Sequence, residues 1–247
     1  MVKKPDLTAR LGPLALPNPV MLASGTCSYG IEMEPYGDIA GLGAIVVKGL
    51  SLKPSPGNPP PRIAETPSGM LNAIGLENIG VEAFLRDKLP LLRRKGARVI
   101  ANIYGETVED YRQLAGILDD ADWVIAMEAN IPCPNVKKGG LLFGQDPRET
   151  GRVVAAVRRA TDKPLLVKLT PNVTSVPEIA RAAEAAGADA LTLINTLQGM
   201  AIDVEERRPR LANVIGGLSG PAIRPVAIRI VWLSDAVVTP SCDARFM

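Results

Sequence analysis

Six short apolar runs set what this chain can fold into: Val20 to Ala23, Ala44 to Val47, Arg98 to Ile103, Trp123 to Met127, Leu165 to Leu169 and Ala190 to Ile194. They are rich in Val, Ile, Leu and Ala and do not alternate cleanly with polar residues, the pattern of strands covered on both faces. Between them lie segments with apolar residues at helical spacing, Val81 to Arg94, Val108 to Leu118, Pro147 to Ala160 and Val176 to Ala186. Thr107 and Ser175 stand where N-caps belong, and Gly187 where a C-cap belongs. Strand–helix alternation predicts a parallel sheet with right-handed crossovers, either an open doubly wound sheet or a closed (β/α)₈ barrel. No GxGxxG follows the first run, which weighs against the dinucleotide-binding form.

Ahead of the first run, Leu7 to Leu11 and Leu14 to Leu16 flank Gly12-Pro13, a turn signal. Residues 1–19 therefore read as a hairpin cap over one end of a barrel. The Pro-rich piece Pro54 to Pro61 reads as a long loop within one domain, because the alternation resumes beyond it. Its continuation, Ser68 to Asn78, is apolar and amide-rich, a composition suited to covering a small ligand.

Composition narrows the chemistry. A net charge of +2 without a basic stripe argues against nucleic acid as a partner. Three cysteines without CxxC spacing, in a chain with no histidine, argue against a disulfide framework and against Cys/His zinc sites. Lack of histidine also removes Ser-His-Asp and Cys-His catalysis and leaves Cys, Lys, Tyr, Asp or Glu as any general base. No apolar run approaches membrane-spanning length, and the first residues lack a secretory pattern, so the expectation is a cytoplasmic protein without a membrane partner.

The polar residues that close the apolar runs are the informative ones, because barrel chemistry sits at the C-terminal ends of the strands. They are Ser24, Lys48, Asn102, Asn130, Lys168 and the pair Asn195-Thr196. Lys168 lies inside an apolar run, where a charge needs either a hydrogen-bonding ligand or an internal ion pair with a barrel acid. The sequence leaves both open. The fourth run empties into Asn130 to Gly140, where Cys133 stands between Pro132 and Pro134. Neither proline can donate to a sheet ladder, so this thiol is expected on a loop of fixed shape. A free thiol in an ordinary loop is the plainer reading.

Several strings together closely resemble the catalytic subunit of class 1B dihydroorotate dehydrogenase: Ala23-Ser24-Gly25-Thr26, Val47-Lys48-Gly49, Asn72-Ala73-Ile74-Gly75-Leu76, Ala101-Asn102-Ile103, Asn130 to Gly140, Val167 to Asn172, Ile194-Asn195-Thr196 and Gly217 to Ala222. The resemblance implies an FMN-dependent (β/α)₈ TIM barrel that oxidises (S)-dihydroorotate to orotate in de novo pyrimidine synthesis. Cys133 would be the base at C5 while hydride leaves C6 for FMN. Lys48, Asn72, Ala73, Ile74, Gly75, Leu76, Asn130, Asn195 and Thr196 would hold the substrate. Ser24, Lys48, Gly49, Asn102, Asn130, Lys168, Ile194 and Gly220 would contact FMN. A homodimer of catalytic chains would pass electrons to NAD through a second subunit carrying FAD and an iron–sulfur cluster, as a heterotetramer.

The chain departs from that pattern twice. Pro132 stands where the family has serine before the cysteine, removing a hydroxyl and an N–H from the loop. Leu233 to Met247 resembles nothing in the family, so the expectation is a barrel without strands seven and eight, an incomplete phosphate site, and weak FMN binding with little activity. The alternatives are a related pyrimidine-reducing FMN barrel enzyme and a non-catalytic remnant.

Overall fold

The computed structural model describes residues 5–131 and 143–239. It begins with a hairpin, β1 (Ala9–Leu11) and β2 (Leu14–Leu16), with Ala9 opposite Leu16. Its turn needs Gly12: φ is +54°, and a Cβ there would meet the Asp189 carbonyl oxygen at 2.6 Å. The chain continues through β3 (Met21–Leu22), β4 (Ala44–Val46), the hairpin β5 (Ile63–Thr66) and β6 (Gly69–Asn72), and helices α1 (Val81–Ala83) and α2 (Leu89–Arg94). A π turn at Phe84–Lys88 joins those helices, where the sequence predicted one unbroken helix. There follow β7 (Val99–Ile103), α3 (Val108–Asp119), β8 (Val124–Asn130), α4 (Pro147–Arg158), β9 (Leu165–Lys168), α5 (Val176–Ala185) and β10 (Ala190–Thr192). The last elements are β11 (Leu197–Gly199), β12 (Ile202–Asp203), β13 (Arg208–Pro209), β14 (Gly216–Ser219) and α6 (Arg224–Asp235).

Strands β3, β4, β7, β8, β9 and β10 form one parallel sheet in chain order. Its two faces are occupied differently. Ala44, Val46, Ile100, Ala126, Leu166 and Ala190 share one buried cluster with Leu11, Leu14 and Leu16 of the hairpin. The alternate residues Ile45, Val47, Val99, Ala101, Met127, Ala129, Leu165 and Val167 pack in the cluster that includes helix residues such as Leu114, Val154 and Ile179. Helices on one face and a shared interior on the other describe a curled, barrel-type sheet; a doubly wound sheet carries helices on both. A contact across the interior agrees. Ser24, just past β3, lies 3.3 Å from Lys168 on β9, whereas a flat sheet would put those strands roughly 19 Å apart. The hairpin packs at the N-terminal end of the interior, with Leu11, Leu14 and Leu16 in the interior cluster and Gly12 against the Asp189 carbonyl.

A second, antiparallel sheet in the order β11-β14-β6-β5 is built from the segments that follow β4 and β10. Both segments leave the C-terminal end of the parallel sheet, so this small sheet stands over that end. The sequence reading took Pro54 to Pro61 as a long loop and Ser68 to Asn78 as its ligand-covering continuation. Polar and glycine residues in Ile63–Thr66 and Gly69–Asn72 hid a hairpin whose register the β14 backbone completes.

Other predicted boundaries are corrected by hydrogen bonding. Thr107 caps α3 in a reciprocal capping box with Asp110, as predicted. Ser175 occupies the N-cap of α5 but makes no side-chain cap bond. Gly187 takes φ +106° just past α5, as a helix terminator does. β8 runs on to Asn130, three residues beyond the predicted Met127. α6 continues unbroken through Leu233 to Asp235, with Ser234 fully buried. No described helix is long and apolar enough to cross a membrane.

Candidate active site

Strand periodicity places the site. Side chains two residues apart share a face, so the interior row continues from Val46 to Lys48, from Ile100 to Asn102, from Ala126 to Glu128 and Asn130, from Leu166 to Lys168 and from Ala190 to Thr192. Each strand therefore changes from apolar to polar at the same level, at its C-terminal end. That switch makes a polar layer above a dry core.

The layer is linked. Asn102, completely buried, donates from Nδ2 to Ser24 Oγ at 3.4 Å and to Glu128 Oε1. Thr192 Oγ1 donates to the other carboxylate oxygen of Glu128 at 2.7 Å. Lys168 Nζ donates to Ser24 Oγ at 3.3 Å. Among the described residues no carboxylate lies within ion-pair distance of Lys168. Of the two readings left open by the sequence, the internal ion pair is therefore not made. Asn102 Oδ1 is buried without a partner among the described residues, over the bare Cα of Gly49, where a Cβ would come within 2.8 Å of it. A buried acceptor and a half-buried cation, both lacking their natural partners, are the groups a ligand would satisfy.

A second cluster continues the site toward the small sheet. Asn195 Nδ2 donates to Asn130 Oδ1 at 3.3 Å, and Asn195 Oδ1 accepts from the Thr196 backbone at 2.8 Å. The Asn130 carbonyl accepts from the hydroxyl of fully buried Tyr111 at 2.7 Å, which fixes the end of β8 to α3. Burial pushes the Tyr111 phenol above its ordinary pKa, so it remains a donor. Asn172 Nδ2 donates to the Thr196 carbonyl at 3.0 Å, and Asn72 Nδ2 donates to the Gly217 carbonyl at 3.3 Å. Gly217 is required there, since a Cβ would meet Thr196 Oγ1 at 2.0 Å. Ile194 is partly buried against the outer core.

Other sequence-predicted residues lie further out. Lys48 Nζ is 4.0 Å from Glu77, which also pairs with Arg62, beside a cavity of ≈ 530 Å³ lined by Tyr29, Pro54 and Asn78. Ala73, Ile74 and Leu76 spend backbone groups on Arg62, Asn58, Asn78 and Tyr104, with Gly75 at φ +74°. Gly220 ends β14 at φ +99°, close against Gly69. Cys133 and Pro132 lie outside the described residues.

The sequence reading passed over Glu128, Thr192, Tyr111 and Asn172. Glu128 was detectable: in Val124–Asn130 it is a charge at even spacing from Ala126, hence on the interior face of a buried strand. Tyr111 could not be found, because its hydroxyl finds Asn130 only through the docking of α3.

The model of the dihydroorotate dehydrogenase family matches residues 7–241. Among curated relatives, the "Dihydroorotate dehydrogenase B (NAD(+)), catalytic subunit" of Pelobacter propionicus is 60% identical over 96% of this chain and 78% of its own length. The proteins of the same name from Geotalea daltonii and Solidesulfovibrio magneticus are 58% and 60% identical, again over 78% of their lengths.

Proposed function

Because the chain belongs to the dihydroorotate dehydrogenase family, we propose that it oxidises dihydroorotate to orotate in pyrimidine synthesis. The electrons would pass through a partner subunit to NAD, as the name of its relatives indicates. The observation that carries the reading is the Lys168 ammonium, held by Ser24 with no carboxylate partner among the described residues, together with the Asn102 carbonyl oxygen, which has no partner among them, at the strand ends.

These groups suit FMN, which when bound supplies the acceptor for the hydride that leaves C6 of the substrate. Ser24, Gly49, Asn102 and Lys168 would hold the ring system, with Ile194 and Gly220 as further contacts. Lys168, fixed through Ser24, offers a preorganised positive charge where negative charge gathers. Asn130, Asn195, Thr196 and Asn72 are carboxamides and a hydroxyl suited to the N–H and C=O edges of a dihydropyrimidine. Lys48 would bind the substrate carboxylate in competition with Glu77. Cys133 would take the C5 proton, and a thiol with an ordinary pKa of ~8.5 needs only modest tuning to be ionised near neutrality. A partner subunit carrying FAD and an iron–sulfur cluster, a heterotetramer built on a homodimer of catalytic chains, and a cytoplasmic location complete the proposal.

The test is anaerobic titration of the purified chain loaded with FMN. Dihydroorotate should bleach the visible flavin band and dihydrouracil should leave it. Bleaching by dihydrouracil alone would transfer the chain to the pyrimidine-reducing reading, and failure to take up FMN would sink the proposal.

A further inference from the structure

We propose that Glu128 is the positioning residue of the ligand pocket, an acceptor-only support that fixes the Asn102 carboxamide with its carbonyl oxygen toward the ligand. The inference rests on the flavin reading above. A carboxylate inside a barrel is costly unless both oxygens are satisfied. Here both are, by Asn102 Nδ2 and by Thr192 Oγ1, and Glu128 is only 1% exposed. Both Glu128 oxygens act as acceptors, and the Asn102 amide turns its NH₂ toward one of them. The second N–H of that NH₂ goes to Ser24. All donor capacity of Asn102 is then spent on the protein, and Oδ1, over Gly49, is left without a partner.

The pocket is thereby polarised. At this point it presents an acceptor and not a donor, and it favours a ligand with an N–H there.

Three variants test this with two readouts. In a ¹⁵N-asparagine-labelled chain, the side-chain amide of Asn102, assigned with Asn102→Asp, should be protected from water exchange in the parent protein. Protection should fall about tenfold in Glu128→Leu, which leaves one N–H unpaired. FMN affinity, read by flavin fluorescence quenching, should weaken about tenfold in Glu128→Leu for the same reason. Glu128→Gln keeps an acceptor oxygen for Asn102, so it should restore both protection and affinity. Thr192→Val, which removes one of the two donors to Glu128, should fall between them and serves if Glu128→Leu does not fold. Unchanged Asn102 protection and FMN affinity in Glu128→Leu or Thr192→Val would overturn the proposal, as would a Gln variant as damaged as the Leu variant. A parent chain that takes up no FMN would overturn the flavin reading and the ligand half of this one. The amide signal would then still decide whether Glu128 orients Asn102.

Discussion

The Lys168 ammonium donates to the Ser24 hydroxyl at 3.3 Å across the barrel interior, and that hydroxyl is its hydrogen-bond partner among the described residues. One neutral oxygen is poor compensation for a half-buried charge. The arrangement makes sense as a site held ready for an anion or for a ring that gains charge. Replacing the lysine separates stability from binding. Lys168→Met should leave the melting temperature of the ligand-free chain unchanged or slightly raised, because it removes a charge and keeps the apolar stem. The same variant should weaken FMN binding by about ten- to a hundredfold, the worth of a charge-assisted hydrogen bond. Differential scanning calorimetry with and without FMN reads both.

How far the sequence led can be judged from this same layer. Lys48, Asn102, Asn130 and Lys168 were legible because each is a polar residue at or near the C-terminal end of an apolar run. Glu128 was missed because the run was ended at Met127; in the fold its two carboxyl oxygens are bonded by residues of two other strands. The parallel sheet was legible from alternation alone. The antiparallel sheet was not, since β14 and β6 pair across 145 residues between Asn72 and Gly217, and a partner that distant leaves no local pattern.

Gly217 offers a second test. A Cβ there would strike the Thr196 side chain, with Oγ1 at 2.0 Å and Cβ at 2.6 Å. Gly217→Ala must therefore displace Thr196, at a cost of about 1–3 kcal/mol typical of overpacking. Thr196 is also bonded to Asn195 and Asn172, so the strain enters the proposed substrate cluster and not the Lys168 layer. Orotate affinity should fall while FMN affinity is retained, a split that two titrations on one preparation resolve.

Cys27 provides an internal control for thiol chemistry. Burial first, and Glu32 second, push its pKa up to about 11, and its sulfur lies against the carbonyls of Val46 and Ala23 at 3.4 and 3.5 Å. At pH 8 the thiolate fraction is then about one in a thousand. Cys27 should resist iodoacetamide in the folded chain and be alkylated only after denaturation. Peptide mapping by mass spectrometry checks this, and rapid native labelling of Cys27 would contradict its burial.

Acid stability follows from carboxylates held in their charged form. Hydrogen bonds from Thr161 lower the Asp119 pKa, and the Asp162 and Lys163 backbone and the Lys163 charge help. A hydrogen bond from Arg62 lowers that of Glu77, and Arg112 with Gln113 takes Glu109 to about 2. Each folded-state pKa lies below its unfolded value, so each contribution is present above the unfolded pKa and is lost as pH falls through the folded one. The melting temperature should therefore drop progressively between about pH 5 and pH 2. Glu77 and Glu109 are exposed and screened, so their share is small. Asp119 differs, because its bonds to Thr161 Oγ1 at 2.5 Å and to the Asp162 backbone at 3.2 Å tie the end of α3 to the segment after α4. Asp119→Asn loses the titration and keeps an acceptor. It should melt lower than the parent at pH 7 and approach it at pH 2, so that a plot of melting temperature against pH is flatter. Parallel curves for parent and variant would show that Asp119 carries none of the acid sensitivity.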